Sequence, residues 1–246
     1  MKPLKRSAAK QFLTAEWRHL AMLNYEIEPA GLAPFVPAGT ELDSWKGKTM
    51  ISVVGFLFLN TRVLGWPIPF HRDFEEVNLR FYVRRKASDG WRRGVVFIKE
   101  IVPRAAIALM AQAFYNEPYV ALPMSSRIER ESGSLRDVEY GWRFRGAPYR
   151  LTVRARGTPA ELRDGSEAEF ITEHYWGYTA QRDGSTLEYR VEHPRWLVYQ
   201  VAEAKLEGAV GVLYGEKFRA SLSREPSSAF LAEGSAVTVF NGVRLD

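Results

Sequence analysis

The chain has 246 residues, of which 46% are hydrophobic and 26% charged, a composition typical of a folded globular protein and not of a disordered one. It contains no cysteine, so disulfides, thiolate catalysis and cysteine-bound metal centres are excluded. The net charge is only +5, because 34 basic residues face 29 acidic ones. The longest apolar runs, which begin at Met50 and Ala105, reach about half of a membrane span, so we expect a soluble, cytoplasmic protein.

No repeat or low-complexity linker divides the chain. We therefore expect a single domain over residues 1–246, in which about residues 1–11 form a flexible N-terminal tail. The first helical segment is predicted in "PAGLAPFVP", where Pro29 suits a first helical position and Pro37 ends the helix.

Glycine turns are the strongest local signals for hairpins, because Asp-Gly between alternating segments is typical of tight β-turns. They occur at residues 88–91, 163–166 and 182–185, with a weaker candidate at 45–48.

Strand-like segments flank these turns and predict three antiparallel pairs, since strands that follow one another in sequence usually pair. The predicted pairs are residues 78–85 with 94–102, 138–145 with 149–156, and 167–181 with 186–193.

Helices are few. The longest is predicted over Pro103–Asn116, where apolar residues fall on one face and Pro118 ends the helix. A shorter one is predicted over residues 211–223. Many strands with a few helices indicate an α+β fold, here a curved, barrel-like and largely antiparallel β-sheet with a few short helices.

Polar side chains follow the predicted long helix at Tyr115, Asn116, Glu117 and Tyr119. A carboxylate at the C-terminal end of a helix faces the negative pole of the helix dipole, so Glu117 needs a cation, a hydrogen-bond donor or solvent. Two interpretations remain open: the residues cap the helix in water, or they converge on a pocket.

Over residues 12–236 the chain resembles the YqjF-like family of uncharacterised bacterial proteins, which belongs to the acetoacetate decarboxylase-like superfamily. The segments that carry the resemblance include "FLTAEWRHLAMLNYEI", "LAPFVPAGTELD", "PFHRDFEEVNLRFYV" and "FYNEPYVALPM". The resemblance implies a curved antiparallel sheet around an apolar cone, which is why the pocket interpretation of residues 115–119 stays open beside the helix-cap interpretation.

The resemblance also implies site residues. Arg18 and Glu76 correspond to an arginine and a glutamate of the decarboxylase site. The decarboxylase forms a Schiff base with a lysine whose ammonium is destabilised by a second lysine. That pair would fall between Pro118 and Val120, where this chain has no lysine. We therefore expect the cavity without the decarboxylation chemistry.

Other candidates come from strand alternation. Glu75 and Glu76 point to opposite faces of a strand, so at most one of them faces inward, and Asn78 shares the face of Glu76. Lys99 is expected on the face of Val95 and Phe97, with Glu100 on the other face; it either lines the cone or reaches solvent.

Histidines give a weaker signal. His174 is a candidate acid–base group. The histidines lack the spacing of metal ligands, so we expect neither a metal nor another cofactor.

The catalytic candidates are thus Glu76, Glu117 and His174, and the ligand-binding candidates are Arg18, Asn78, Lys99, Tyr115, Asn116 and Tyr119. The first hypothesis is that the protein binds a small carboxylate- or carbonyl-bearing molecule, with Arg18 as the anion anchor. The second is an enzyme that uses acid–base chemistry on a small oxo-acid without a Schiff base. The third is nucleic-acid binding through the basic hairpin at residues 80–93. A homo-oligomer is an open alternative, and no membrane partner is expected.

Overall fold

The computed structural model describes residues 10–68, 71–105 and 116–245. The strands in this part of the chain are β1 (Gln11–Glu26), β2 (Glu41–Leu42), β3 (Met50–Val63), β4 (Trp66–Pro67), β5 (Phe74–Ala87), β6 (Gly90–Val102), β7 (Tyr119–Ala121), β8 (Met124–Glu131), β9 (Ser134–Phe144), β10 (Ala147–Ala160), β11 (Trp176–Ala180), β12 (Thr186–Glu192), β13 (Val198–Glu207), β14 (Ser228–Phe240) and β15 (Val243–Leu245). The helices are α1 (Glu167–Thr172), α2 (Val210–Tyr214) and α3 (Glu216–Leu222), with 3₁₀ turns at Pro29–Gly31 and Ala33–Phe35.

The strands form one large sheet, so the protein is mostly β-sheet with a few short helices. Neighbouring strands follow the order β15-β12-β11-β6-β5-β3-β1-β14-β13-β10-β9-β8, and β12 also pairs with β14. That last pairing makes a ring of β1, β3, β5, β6, β11, β12 and β14. The ring is partial, because β6–β11 and β12–β14 are each joined by only two residue pairs.

The described strands pair antiparallel except for β6 with β11 and β6 with β7. Two large apolar clusters fill the two faces of the ring, and a third, small one groups Leu187, Tyr189 and Val191 of β12. The inner cluster is rich in aromatic residues from β3 and β5, among them Phe56, Phe58 and Phe74. The outer cluster joins the ring to β9, β10, α2 and α3, through residues such as Tyr140, Leu151 and Phe218.

The three predicted strand pairs are present. β5 pairs with β6 across residues 88–89, and β9 pairs with β10 across residues 145–146. β11 pairs with β12 across residues 181–185. Residues 45–48 form a turn closed by an isolated bridge.

One part of the third prediction was wrong, because residues 167–172 are helical. Ser166 caps α1 by accepting a hydrogen bond from the backbone nitrogen of Glu169. The Glu169 side chain accepts one from the backbone nitrogen of Gly165 at 2.6 Å. This Ser-x-x-Glu capping pattern outweighs the strand propensity of the segment, so the glycine turn at 163–166 begins a helix and not a hairpin.

The other helix predictions had mixed outcomes. "PAGLAPFVP" forms the two 3₁₀ turns, and residues 211–223 form α2 and α3, separated at Gly215 with φ of +104°. The long helix predicted over Pro103–Asn116 lies mostly on residues 106–115, outside the described residues. The same holds for residues 1–9 of the predicted N-terminal tail, whereas Gln11 already belongs to β1. Within the described residues, every helix is too short or too polar to cross a membrane.

Gly177 of β11 gives the inner face one of its close contacts. It lies opposite Tyr189 of β12, and the Tyr189 ring crosses directly over it. A Cβ atom at residue 177 would overlap that ring. A side chain here would displace the Tyr189 ring, and its absence lets Tyr189 extend across β11 into the ring of strands.

Gly177→Ala should lower the free energy of unfolding by about 1–3 kcal/mol, because the new methyl group displaces the Tyr189 ring. Urea unfolding followed by fluorescence measures the change. Gly31→Ala is the matched control, since a Cβ there would make only ordinary contacts, at 3.6 Å from Ile27 Cδ1. Equal stability of the two variants would contradict the packing role.

Candidate functional site

The inner face of the ring encloses a cavity of about 160 Å³. Its walls are mainly apolar, with Phe and Trp side chains and aliphatic side chains in equal number. The Phe and Trp residues of the wall are Phe12, Trp17, Phe56, Phe58, Phe74, Phe97, Trp176 and Trp196. An apolar enclosure with a few polar groups is typical of a binding site for a small molecule.

Three carboxyl groups line one part of this cavity. Glu76, Glu100 and Glu117 are 2%, 1% and 7% exposed, and the hydroxyl-bearing residues Tyr119 and Tyr189 lie beside them. We call these five residues the acidic pole. Two of the predicted catalytic residues, Glu76 and Glu117, are thus in one place, together with the predicted ligand-binding residue Tyr119.

Hydrogen bonds hold the acidic pole together. Tyr119 donates its hydroxyl to Glu76 Oε2 at 3.1 Å, and Asn78 donates its amide to Glu76 Oε1 at 3.0 Å. Tyr189 donates its hydroxyl to Glu117 Oε1. Glu76 and Glu117 can each accept a further hydrogen bond. When protonated, each can also donate one.

The acidic pole strongly disfavours negative charge. Burial raises the pKa of Glu76 to about 7. Burial also raises the pKa of Glu117 to about 7, and the negative charge of Glu76 adds to that rise. Burial and then the charges of Glu117 and Glu76 raise the pKa of Glu100 well above its ordinary range. The same environment raises the pKa of Tyr119. Carboxyl groups enclosed together cannot all ionise, so the pole retains protons at neutral pH.

Glu100 joins the site because of an irregularity in β6. Leu79 pairs with Lys99 while Arg80 pairs with Phe97, so Ile98 is an extra residue in the ladder. This β-bulge shifts the alternation by one residue, and Glu100 comes to the cavity face with Val95 and Phe97. The expectation that Lys99 shares their face and Glu100 lies opposite was therefore wrong.

Lys99 consequently does not line the cavity. It is partly buried in β6, and burial lowers its pKa. Among the described residues, no lysine lines the cavity. A relocated amine nucleophile at residue 99 has no geometric support.

Backbone geometry places Glu117 and Tyr119. Asn116 adopts a left-handed conformation with φ of +56°, and its side-chain amide donates to the Ala180 carbonyl at 3.1 Å. Asparagine tolerates this conformation better than most residues. β7 then pairs parallel with β6, which sets Tyr119 opposite Glu100. Asn116 thus fixes the chain beside the site and does not line it, contrary to the ligand-binding role predicted for it. Tyr115 lies outside the described residues.

Arg18 was predicted as an anion anchor, and the structure places it elsewhere. Trp17 faces the cavity, so its neighbour Arg18 points to the other face of β1. There the Arg18 guanidinium pairs with Glu16, with 36% of the side chain exposed, and donates to the Gly234 carbonyl.

The cavity has a second polar group, Arg80 with His174, and the sequence did not predict that these two residues lie together. Arg80 lies on the same face of β5 as Glu76 and Asn78, and His174 follows α1 at the cavity wall. Burial, and then the charges of Arg93 and Arg80, lower the pKa of His174 well below its ordinary value. His174 is therefore a neutral imidazole. The inward face of β5 was the signal for Arg80, since residues 76, 78 and 80 alternate with the outward ones.

The basic hairpin uses its charges within the protein. Arg85 and Arg92 both pair with Glu188, which is 5% exposed, and Arg93 pairs with Asp43. Arg84 pairs with Glu41 and covers the ring of Trp91. These pairs provide a structural reason for the basic composition of the hairpin that requires no nucleic acid.

Carboxylates are common metal ligands. Within the described ranges, no group of three or more His, Asp and Glu residues has an arrangement that could hold a metal ion. The side chains of the acidic pole hydrogen-bond to one another and hold protons.

Comparison with known proteins agrees with this fold. Residues 14–236 match the DUF2071 family, described as an uncharacterized conserved protein. The chain belongs to this family. It is 29% identical over 191 residues to the uncharacterized protein YqjF of Bacillus subtilis (strain 168), covering 77% of this chain and 76% of that one. The predicted relationship to YqjF is confirmed.

Solved structures place the DUF2071 chain in the acetoacetate decarboxylase-like fold. An acetoacetate decarboxylase-like enzyme from Sphingomonas wittichii RW1 matches with a TM-score of 0.65 at 15% identity, covering 100% of this chain and 98% of that one. The enduracididine biosynthesis enzyme MppR complexed with pyruvate matches with a TM-score of 0.66 at 11% identity, covering 99% and 93%. At these identities the similarity shows the fold alone.

The acidic pole predicts a fall in stability as the pH rises. The folded protein holds protons on Glu76 and Glu117 up to about pH 7, whereas the unfolded chain loses them near pH 4.5. The free energy of unfolding should therefore decrease between these pH values, by on the order of 3 kcal/mol for each carboxyl group. Urea unfolding across this range measures the slope.

Glu76→Gln should flatten that slope, because the variant has one titrating group fewer. Glu75→Gln is the matched control on the outward face of the same strand, where Glu75 accepts a hydrogen bond from Ser126. Glu75→Gln should leave the slope unchanged. If Glu76→Gln also leaves it unchanged, Glu76 is not one of the groups that titrate with a raised pKa.

Proposed function

We propose that the protein binds a small, mostly apolar molecule that carries a carbonyl or carboxyl group, with an oxygen of that group at the acidic pole. The observation that carries the proposal is the pair of buried carboxyl groups, Glu76 and Glu117, with pKa values of about 7 inside an apolar enclosure. A protonated carboxyl group donates a hydrogen bond, and a carbonyl oxygen is a suitable acceptor.

The cavity walls favour an apolar body on the ligand. Trp17 lies against Phe56 and Phe58 with ring centroids 5.4 and 5.9 Å apart, and Phe58 stacks on Phe74 at 4.7 Å. Burial of apolar ligand surface against these rings contributes about 25 cal/mol for each Å². The hydrogen bonds then orient the molecule, and the walls supply most of the affinity.

Fold relatives are consistent with this ligand class. MppR, which has the same fold, is described in complex with pyruvate, a small oxo-acid. The present chain differs from a Schiff-base enzyme of that fold because it has no lysine between Pro118 and Val120. Binding through hydrogen bonds to Glu76, Glu117 and Tyr119 needs no amine.

A second candidate is acid–base catalysis on a small oxo-acid without a Schiff base. It is favoured by the same pKa values, because a group that titrates near neutral pH can both accept and donate a proton. In this case one carboxylate removes a proton from the carbon next to the carbonyl group. The other, protonated, carboxyl group donates to the carbonyl oxygen as negative charge develops there.

Acetophenone, a neutral ketone with an apolar ring, should bind about tenfold more tightly at about pH 6 than at about pH 8. At the lower pH the carboxyl groups of the acidic pole donate hydrogen bonds, whereas at the higher pH Glu76 and Glu117 repel the carbonyl oxygen. Isothermal titration calorimetry measures the affinity. Glu75→Gln should keep this pH dependence and Glu76→Gln should reduce it. Absence of binding, or equal affinity at both pH values in the wild type, would overturn the proposal.

Exchange of the methyl hydrogens of pyruvate in D₂O tests the second candidate. The wild-type protein should accelerate the exchange, and Glu117→Gln should reduce the acceleration by about 100-fold, the typical contribution of a general base. Proton NMR follows the loss of the methyl signal. Glu75→Gln is again the control. If exchange in the presence of the wild-type protein equals that in buffer, the protein binds its ligand without this reaction.

A further inference from the structure

Arg80 and His174 form the second polar group of the cavity, which we call the basic pole. Arg80 is the only arginine or lysine among the described residues that line the cavity. It follows Glu76 by four residues on the same face of β5, so their backbones are about 13 Å apart. The guanidinium thus starts further along β5 than the carboxyl groups, and its charge still opposes part of the rise in the pKa of Glu76.

Contacts show that the two side chains of the basic pole are neighbours. The Arg80 Cζ atom lies 5.7 Å from the centre of the Tyr82 ring, and the His174 ring lies 4.7 Å from the same ring. Arg80 Nη2 donates to the Ile171 carbonyl at 3.1 Å, at the end of the helix that precedes His174. The position of both side chains is therefore set by α1 and β5.

Three nitrogen atoms of this pair make no well-formed hydrogen bond within the protein, although the Ile171 backbone lies near enough to the His174 ring to oppose part of the fall in its pKa. They are Arg80 Nε and both ring nitrogens of His174, and all three are buried. A buried donor without a partner is unfavourable by about 1–3 kcal/mol. Residue His174 is 7% exposed, so bulk solvent has little access to it. An acceptor inside the cavity would satisfy these atoms.

The chemistry of the two groups selects the acceptor. Arg80 carries a permanent positive charge and offers Nε–H, and the neutral His174 ring offers one N–H. A planar guanidinium suits a carboxylate, with which it forms charge-assisted hydrogen bonds. A phosphate would bring more negative charge than a single arginine offsets, and the acidic pole lies in the same cavity.

We propose that Arg80 and His174 form a carboxylate subsite, so that the ligand is an apolar carboxylic acid with a ketone or similar oxygen group at its far end. The carboxylate accepts from Arg80 Nε and from His174, the body packs against Phe56, Phe58 and Trp17, and the second oxygen faces Glu76 and Glu117. This inference rests on the proposed function for the second oxygen group only. The subsite takes the role that the sequence suggested for Arg18.

The test compares para-acetylphenylacetate with its primary amide, which has the same shape without the charge. Calorimetry at about pH 6 should show the carboxylate binding about tenfold more tightly than the amide, as expected for a charge-assisted hydrogen bond. Arg80→Gln should abolish that preference, and His174→Phe, which keeps an aromatic ring against Tyr82, should reduce it. Arg84→Gln is the matched control on the same strand, because Arg84 pairs with Glu41 at the surface.

Acetophenone, which has no carboxylate, distinguishes the two proposals and reports on the integrity of the cavity. If it binds wild type and Arg80→Gln equally while only the wild type prefers the carboxylate, both proposals hold. If acetophenone binds and wild type shows no carboxylate preference, or Arg80→Gln retains it, the subsite is refuted and the proposed function stands. If the carboxylate binds through Arg80 but acetophenone does not bind, the subsite holds and the carbonyl site fails. If no probe binds, both are refuted.

Discussion

Three carboxyl groups enclosed by the same apolar walls cannot all be charged, and much of the structure around Glu76, Glu100 and Glu117 follows from that constraint. Each ionised carboxylate would lack the solvation that water provides, and each would repel the others. The protein responds with protons and with donors: Asn78 and Tyr119 donate to Glu76, and a tyrosine donates to Glu117. Neutral carboxyl groups are unusual on a protein surface, and they give this cavity donors that are also weak acids.

One strand distributes polarity along the cavity. The inward residues of β5 are Phe74, Glu76, Asn78 and Arg80, which places an aromatic ring, an acid, an amide and a cation in sequence on one face. Neighbouring strands then supply mainly aromatic and aliphatic residues. In the proposed binding mode, selectivity depends on this short segment, while β1 and β3 provide the apolar surface for the body of the ligand. The acidic Glu76 and the basic Arg80 lie four residues apart on this strand, so the rise per residue of a β-strand sets the distance between their backbones.

The sequence alone predicts much of this fold, because alternation and Asp-Gly turns are local signals. It identifies the strand pairs and brings Glu76, Asn78, Glu117 and Tyr119 into consideration. Other features depend on information that alternation does not contain. The bulge at Ile98, which turns Glu100 inward and Lys99 away, arises from the register between β5 and β6. Pairing of Arg18 with Glu16, and proximity of Arg80 to His174, are contacts between side chains whose directions become known only once the strands are placed. Helix α1 was predictable, since its Ser-x-x-Glu cap is local, but the strand propensity of the segment concealed it.

Two junctions of the ring are much shorter than its other ladders. β1 and β3 are joined by a long ladder, whereas β6–β11 and β12–β14 have two residue pairs each. Segments with few backbone hydrogen bonds separate at a lower free energy than long ladders do. We therefore expect these two junctions to open before the long ladders of the sheet do, so that a ligand of the proposed kind would enter laterally while the rest of the sheet stays folded.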